Sequence, residues 1–314
     1  MKNYKELMNY LYSGVSLNDS KYENVSLALH KLIKMDIVEK TKNKRFFLNS
    51  IIKVPKVIEN LPKRIANQRK ILEKCGYKNL FEDENEKCLK FSTSFRLVVG
   101  LGAGHVLENS LALHHIFGIP YIPSSALKGV VRMASFWEIF EKENKKSDKE
   151  IEDKEVEDLQ KQVYDNEISN FDNEDILKHK LLFGTQNFKG LLIFFDAFPE
   201  IQENQEIFEL DVMTPHYSKY YTQNQLPGDW ENPNPIVFLT VKKGINFCFN
   251  VLFDKFRAEE ICKNKNFSQE VKKIIEEWLS NSSNLSNLVK NWIEAALKEY
   301  GVGAKTRLGY GIFE

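Results

Sequence analysis

Residues 301–311 read Gly-Val-Gly-Ala-Lys-Thr-Arg-Leu-Gly-Tyr-Gly, which places four glycines and two cations in one short segment. Because glycine lacks a Cβ, backbone N–H groups can approach a phosphate closely, while Lys305 and Arg307 supply positive charge. The segment follows residues 285–300, where apolar residues recur at helical spacing, and it runs into the apolar residues 310–313. It is therefore predicted to connect a helix to a strand.

Two well-known phosphate motifs do not fit the spacing of this segment. Walker A requires a glycine directly before its lysine, and Ala304 stands in that place. The dinucleotide-binding pattern fails because Thr306 occupies the position of its third glycine. Two interpretations stay open on spacing alone. One is a loop that binds a polyanion, and the other is a structural loop in which Gly301 ends the helix and Gly309 with Gly311 form a bulged strand.

The segment resembles the G-x-G-x-K-x-x-x-G-x-G loop of the RAMP superfamily, the RNA-binding proteins of type III CRISPR systems. Residues 118–132 read Gly-Ile-Pro-Tyr-Ile-Pro-Ser-Ser-Ala-Leu-Lys-Gly-Val-Val-Arg and resemble a second signature of that superfamily, G-x-P-x-I-P-G-S-S-L-K-G-x-x-R. Ser124 and Ala126 depart from it, since the superfamily usually carries glycine and serine there. Further matching motifs occur in the same order along the chain, at residues 100–105, 183–184, 195–197, 210–217, 227–230 and 233–235.

This ordered set, over about residues 90–314, is similar to the family of sixth subunits of type III-B (Cmr) effector complexes. The resemblance implies a non-catalytic RNA-binding subunit that caps the complex backbone near the crRNA 3′ end in antiviral defence. Its implied partners are crRNA, target RNA and other Cmr subunits, especially the backbone RAMP subunit. Some relatives cut RNA without a metal, so a RAMP endoribonuclease is the alternative, with His105, His216 and Lys305 as its candidate catalytic residues.

Composition and charge set broad limits. The chain has 314 residues, 42% of them hydrophobic, and a formal net charge of zero. It contains no apolar run of about 18 residues and no apolar signal core at its start, so we expect a cytoplasmic protein without membrane contact. We predict no cofactor. No Cys-x-x-Cys pair occurs, and ordinary thiols are expected at all four cysteines, Cys75, Cys88, Cys248 and Cys262.

The charges are unevenly distributed along the chain. Residues 1–78 carry 17 Lys and Arg against 7 Asp and Glu, whereas residues 138–175 carry 15 acidic against 6 basic residues. We predict a basic, mostly helical N-terminal extension at 1–89 and an acidic insertion at about 141–175, either a solvated helix or a loop. The insertion interrupts the domain at 90–314.

The N-terminal extension has its own pattern. We expect helices at 26–35 and 61–75, with a hairpin across 36–40 and 45–48 between them, an order loosely similar to a winged helix. The second helix carries Lys63, Arg64, Arg69, Lys70 and Lys74. These cations either contact RNA or form a solvated face, and the extension can equally dock a neighbouring subunit.

The remaining pattern indicates an α+β fold, with strands and helices in the order of a ferredoxin-like (RRM-like, βαββαβ) domain with large insertions. The first strand is expected at 90–99, where apolar residues alternate. A helix then begins at Ser124 and Ser125. The later elements are strands at 191–195, 236–241 and 245–253, a helix at 285–300 and a last strand.

Lys128 and Arg132 lie four residues apart, so they share one face near the start of that helix, where the helix dipole favours an anion. They are either a phosphate clamp or exposed solubilising charges. The resemblance implies that they share one surface with Ser125, Lys305 and Arg307.

His105 precedes Glu108 by three residues, but the sequence offers no further His or Cys at a spacing that completes a metal site. His105 is expected to donate a hydrogen bond to RNA or to hold the Gly100–Gly104 loop in shape.

An aromatic stretch at 216–221 lies among prolines, which is typical of an outward loop, and its rings either stack on unpaired bases or cover the sheet. The predicted RNA contacts are Ser125, Lys128, Arg132, His105, His216, Tyr217, Lys219, Tyr220, Gly301, Gly303, Lys305, Arg307, Gly309 and Gly311.

Overall fold

The computed structural model describes residues 24–30, 41–52, 61–81, 88–144, 153–165, 168, 173–202, 205–228, 230 and 232–314. Its helices are α1 (Val25–His30), α2 (Thr41–Ile52), α3 (Leu61–Lys74), α4 (Ser124–Asn144), α5 (Asp153–Tyr164), α6 (Glu174–Phe183), α7 (Ser218–Gln223), α8 (Lys255–Lys263), α9 (Gln269–Ser280) and α10 (Ser282–Ala295). Its strands are β1 (Tyr77–Asn79), β2 (Leu89–Ser92), β3 (Leu192–Phe194), β4 (Phe198–Pro199), β5 (Phe208–Met213), β6 (Ile236–Val241), β7 (Asn246–Phe249) and β8 (Val251–Asp254). A π-helical turn, Ala296–Tyr300, extends α10. The fold therefore mixes helix and sheet.

The strands pair only in antiparallel fashion among the described residues. β8 lies between β1 and β3, β7 lies between β2 and β4, and β5 pairs with β6. β7 and β8 are separated only by Asn250, so they act as one long central strand. On the side away from β7, the end of β2 and the residues after it pair with the last residues of the chain. Ser92 and Glu314 exchange backbone hydrogen bonds there, and the Gly311 N–H donates to the Arg96 carbonyl.

Two long helices cover one face of the strands and form the main core. Leu127 and Val131 of α4 are buried, and so are Leu285 and Val289 of α10. These pairs recur at the i, i+4 spacing that places them on one helix face, where they share one buried cluster with Phe249 of β7.

The helix predicted from Ser124 begins there as α4, and the one predicted at 285–300 is confirmed as α10 with its π-helical turn, although it begins three residues earlier. The helix predicted at 26–35 is confirmed as α1 up to His30, and residues 31–35 lie outside the described part. The strands at 191–195 and 236–241 are confirmed as β3 and β6, and 245–253 is divided into β7 and β8. The last strand is wrong, since residues 310–312 form none and Phe313 makes a single bridge to Thr93.

The strand predicted at 90–99 is wrong in its length, because β2 ends at Ser92 and only single bridges follow, from Thr93 to Phe313 and from Leu97 to Val241. Its alternate residues Phe91, Thr93, Leu97 and Val99 are buried, as the pattern predicts. Phe95 is 37% exposed instead, and its ring packs edge-on against Tyr310, 5.2 Å between centroids.

The acidic insertion contains a helix, α5, that packs against the domain. Its apolar residues Leu159 and Val163 are buried against Phe136 of α4 and Ile176 of α6 in a small second core. A helix is therefore confirmed for Asp153–Tyr164, but the expectation that it is solvated is wrong, because it packs against α4 and α6. Residues 145–152 lie outside the described part.

The hairpin expected in the N-terminal extension is wrong in the half that the structure describes. Residues 45–48 belong to α2, where Phe47 and Leu48 are buried in the main core together with Ile51. Residues 36–40 lie outside the described part. The comparison with a winged helix therefore loses its support at the second strand, whereas the helix predicted at 61–75 is confirmed as α3.

The expectation of four ordinary thiols is also wrong. Cys88 and Cys248 form a disulfide, with the two sulfurs 2.06 Å apart, because β2 and β7 are neighbouring strands although the residues lie 160 apart in sequence. Cys75 and Cys262 are free. In the part of the chain that the structure covers, no helix is long and apolar enough to cross a bilayer.

Candidate nucleic-acid interface

The glycine-rich segment, residues 301–311, is held tightly against neighbouring backbone. Gly303 and Gly311 have φ values of +100° and +68°, a region that other residues rarely adopt. A Cβ on Gly303 would lie 2.4 Å from the Val98 carbonyl oxygen, and one on Gly311 would lie 1.9 Å from that of Val302. Both glycines are therefore required by the packing of the segment itself, which favours the structural interpretation for them.

The other glycines of the segment have different roles. The N–H of Gly301 donates to the Ala296 carbonyl at 2.9 Å and closes the π-helical turn. Its ψ of 163° differs from that of a left-handed cap. Gly309 also has a positive φ, +87°, but the nearest atom to a Cβ there is 3.9 Å away on Phe95. Gly309 is thus the one glycine of the segment at which a Cβ would meet no close neighbour.

The two cations of the segment are placed differently. Lys305 adopts a left-handed conformation, φ 62°, and its Nζ lies 5.6 Å from the centroid of the Phe238 ring in β6. Arg307 is exposed in the short 3-10 turn Thr306–Leu308, beside Leu308 with 68% of its surface accessible. Arg307 is consequently the cation better placed for a ligand in solution.

A charged network joins this segment to the hairpin formed by β5 and β6. Arg96 Nε donates to Glu209 Oε1 at 2.5 Å, its Nη1 lies 3.4 Å from Asp211 Oδ2, and the Tyr310 hydroxyl donates to that same Asp211 oxygen. Burial, reinforced by the hydrogen bond to Asp211, raises the pKa of Tyr310 to about 12. Burial alone would lower the pKa of Arg96, but its bonds to Glu209 and Asp211 outweigh this and raise it. Arg96 therefore offsets one of the two negative charges, and the base of the hairpin is fixed to the glycine-rich segment.

The connection between β5 and β6, residues 214–235, carries the predicted aromatic contacts. His216, Lys219 and Tyr220 are exposed there, while Tyr217 is half-buried with a positive φ of 61°. The exposure agrees with an outward segment, but the loop predicted at 216–221 is wrong in conformation, because Ser218–Gln223 form the short helix α7.

The same connection holds two large apolar residues that the prediction did not include. Leu226 is 85% exposed and Trp230 is 81% exposed. A Cβ on Gly228 would lie 2.3 Å from the Trp230 ring, so the backbone at Gly228 lies directly against the indole. The available signal was a tryptophan in a stretch rich in proline and polar residues, where a buried position is not expected.

The start of α4 differs from a simple phosphate site. The Ser124 N–H donates to Asp196 Oδ1 at 2.7 Å, so a carboxylate already occupies part of the position that an anion would take at this helix N-terminus. Ser125 is exposed beside it. Burial, and then the charge of Arg132, lower the pKa of Lys128.

Arg132 is directed towards the helices of the acidic insertion. Its guanidinium carbon lies 4.6 Å from the centroid of the Tyr164 ring at the end of α5. Its charge also contributes to the lowered pKa of the buried His179 in α6. Arg132 and Lys305 therefore contact different elements, and the single surface that was predicted to contain both stays a prediction.

His105 has both ring nitrogens occupied by backbone groups. The Leu107 N–H donates to Nδ1 at 3.1 Å, so Nε2 carries the proton and donates to the Leu29 carbonyl at 2.9 Å. Burial is the main cause that lowers the pKa of His105. Its neighbour Glu108 is ion-paired with Lys44 at 2.7 Å. This geometry favours the role of fastening the loop to α1 over a metal or general-base role.

Comparison with known proteins gives a consistent family assignment. The sequence model of the RAMP superfamily matches residues 89–314. The Cmr subunit Cmr6 of the CRISPR system of Pyrococcus furiosus is 36% identical over 250 residues, which cover 71% of this chain and 66% of that protein. Cmr6 of Saccharolobus solfataricus is 24% identical over 200 residues, covering 63% of this chain and 54% of that protein. The matches thus span just under two thirds and about half of these relatives.

Two solved structures align with this chain at TM-scores below 0.5. A chain of the type III-B Cmr-beta complex bound to cognate target RNA aligns with a TM-score of 0.49 and 19% identity, covering 99% of this chain and 87% of that chain. The crystal structure of Cmr6 from Pyrococcus furiosus aligns with a TM-score of 0.40 and 32% identity, covering 71% of this chain and 94% of that chain.

Proposed function

The chain belongs to the RAMP superfamily, and from that premise we propose that it is a Cmr6-type RNA-binding subunit of a type III-B (Cmr) CRISPR effector complex. In this role it binds crRNA and target RNA, contacts the backbone RAMP subunit, and caps the complex near the crRNA 3′ end. It contributes no catalytic group.

One observation carries this proposal. The glycine-rich segment and the β5–β6 hairpin are joined through Arg96, and the far end of the hairpin exposes aromatic and cationic side chains. The Arg96 guanidinium, bound to both Glu209 and Asp211, reduces the negative charge that would otherwise repel an RNA backbone near this junction. The arrangement therefore supports a phosphate contact at the segment and base contacts at the hairpin end.

The chemistry of such a site is positional. Arg307 is exposed to pair with a phosphate, which fixes the register of the RNA without reading its sequence. Trp230 and Tyr220 present large ring surfaces, and stacking of an unpaired base on an aromatic ring contributes about 1–3 kcal/mol. The edges of the bases that pair guide with target then remain accessible.

We also infer a ferredoxin-like arrangement for residues 90–314. Its support is the order of the paired segments, in which the last residues flank the β2 segment, β7 and β8 lie on the other side of it, and β3 and β4 come next. If the four strands are numbered along the chain, their order across the sheet is fourth, first, third, second. The two crossing helices are α4 and α10. The β5–β6 hairpin is then an insertion between the second and third strands.

The non-catalytic part of the proposal rests on His105. A general base needs a ring nitrogen within reach of the substrate, and both nitrogens of His105 are bonded to the backbone. The alternative endoribonuclease is left with His216 and Lys305. His216→Ala should leave RNA cleavage by the complex unchanged, and loss of cleavage with intact assembly and RNA binding would establish the enzymatic alternative.

The proposal is tested with the reconstituted complex and single-stranded RNA at several salt concentrations. Arg307→Gln should reduce the slope of log affinity against log salt by about 1, because one phosphate contact is lost. Lys265→Gln is the matched control, since Lys265 is an exposed cation in the turn between α8 and α9. Trp230→Ala should weaken binding by about tenfold, whereas Ile71→Ala, also at an exposed apolar residue, should not. Equal behaviour of variants and controls would reject the proposal.

A further inference from the structure

A group of aromatic rings lies before α4, apart from the hairpin and the glycine-rich segment. The His114 ring is nearly parallel to two others, that of His115 at 5.0 Å and 15° and that of Phe117 at 4.6 Å and 26°. Tyr121 and Phe198 stack on each other at 6.0 Å and both meet the His114 ring edge-on. We refer to these five residues as the His114 ring cluster.

The backbone fixes the outer part of this cluster. His114 Nδ1 accepts hydrogen bonds from the N–H groups of Ile116 and Phe117, both at 3.3 Å. Asn24 donates to the carbonyls of His115 and Ile116, both at 2.9 Å. Burial, and then the charge of His115, lower the pKa of His114, which agrees with its role as an acceptor. His114 therefore holds the turn, and the turn presents the exposed ring of His115.

An exposed cation lies beside the cluster. The guanidinium of Arg64, an exposed residue of the basic helix α3, lies 5.8 Å from the centroid of the Phe117 ring. The carboxylate of Asp196 accepts the N–H of Ser124 and keeps its negative charge, which acts on His114 and Tyr121. The cluster thus combines flat rings with a cation at Phe117, the pairing that unpaired nucleotides bind.

We propose that His115, Phe117 and Arg64 form a second RNA contact, in which an unpaired base stacks on the His115 ring and a phosphate of the same strand binds Arg64. This deepens the proposed function and rests on it, since it requires the chain to lie on RNA. Parallel rings beside a guanidinium fit a planar, negatively charged ligand better than a neighbouring subunit, because Ile116, between His115 and Phe117, is the one large apolar side chain of this turn that is mostly exposed. The basic helix α3 gains a specific role through Arg64.

The test uses the reconstituted complex and a fluorescein-labelled single-stranded RNA. His115→Ala should weaken affinity by about fivefold or more, while His115→Phe, which keeps a ring, should retain it. Arg64→Gln should weaken affinity and lower the salt dependence, whereas Lys74→Gln, at an exposed cation at the end of α3, should change neither.

A second measurement separates the outcomes. Co-purification of the subunits with His115→Ala and with Ile116→Ala reports on assembly. If both variants lose subunits but the assembled fraction binds RNA normally, the cluster docks a protein and our inference is overturned. Normal RNA affinity in both His115→Ala and Arg64→Gln would also overturn it. Failure of the proposed function itself would appear independently, as unchanged binding in Arg307→Gln and Trp230→Ala.

Discussion

Replacement of Gly311 by alanine, compared with the same change at Gly309, tests why the chain carries glycines in this segment. Both residues have positive φ values, +68° and +87°. They differ in space, because a Cβ on Gly311 would lie 1.9 Å from the Val302 carbonyl oxygen, whereas a Cβ on Gly309 has 3.9 Å to its nearest neighbour on Phe95. The pair therefore separates backbone strain from collision.

The expected magnitudes follow from these contacts. An alanine in a left-handed conformation costs about 1–2 kcal/mol, and the stiffer unfolded chain returns about 0.4–1 kcal/mol. Gly309→Ala should then lower the free energy of unfolding by about 1 kcal/mol. Gly311→Ala must in addition displace backbone that forms two hydrogen bonds, Val302 N–H to the Gly311 carbonyl at 2.9 Å and Gly311 N–H to the Arg96 carbonyl at 2.8 Å. With about 1 kcal/mol for each, the total is about 3 kcal/mol.

Urea unfolding of the purified chain, followed by circular dichroism, measures both values. We expect a parallel shift of the midpoint with an unchanged slope, larger for Gly311→Ala than for Gly309→Ala. Equal losses for the two variants, or no loss for Gly311→Ala, would refute the reasoning from collision. RNA affinity of Gly309→Ala then reports on close backbone approach, since this variant keeps most of its stability.

Three further predictions concern groups outside this pair. Arg96→Met should lower the free energy of unfolding by about 1–2 kcal/mol and weaken RNA binding, because it leaves Glu209 and Asp211 without their shared cation near the junction. RNA affinity equal to wild type would contradict the role of Arg96 in reducing negative charge there. Burial, and then nearby cations, lower the pKa of His179 to about 3 from 6.5, so the unfolded chain takes up a proton that the folded chain does not as pH falls below 6.5. Stability should drop by up to about 1.4 kcal/mol per pH unit between about pH 6 and 4, and urea unfolding of His179→Gln should lack this slope. Thiol titration in denaturant without reductant should find two reactive cysteines, because Cys88 and Cys248 are joined by a disulfide. After reduction the titration should find all four. Four reactive cysteines before reduction would disprove the disulfide.

Long elements with one clear period could be predicted from the sequence. The stripe of Leu127 and Val131 in α4 and the apolar run of β6 each match one type of structure, and both form where expected. The hairpin at 45–48 failed because aromatic neighbours such as Phe46 and Phe47 have high strand propensity. Burial in this stretch follows a helical pattern instead, with Phe47, Leu48 and Ile51 inside and Phe46 exposed, since α2 packs against the core.

Interactions that depend on which strands meet could not be predicted. The Cys88–Cys248 bond requires the register of β2 against β7, and the contact of Arg96 with Asp211 requires the hairpin to fold back onto the first strand. The exposure of His216, Lys219, Tyr220 and Arg307 could be predicted, because aromatic and basic residues outside the apolar pattern carry a local signal. Their contacts with RNA stay a prediction. Trp230 lies in one of the motifs that match the family, but its spacing predicted no RNA contact for it.

The most direct test of the central claim, that this chain holds RNA between its glycine-rich segment and its hairpin, is cross-linking of the reconstituted complex. RNA that contains 4-thiouridine is irradiated in the complex, and the cross-linked peptides of this chain are identified by mass spectrometry. We predict cross-links within residues 214–235 and 301–311, lost at the hairpin in Trp230→Ala. Cross-links in this chain that avoid both segments, or none under conditions where a neighbouring subunit is labelled, would contradict the claim.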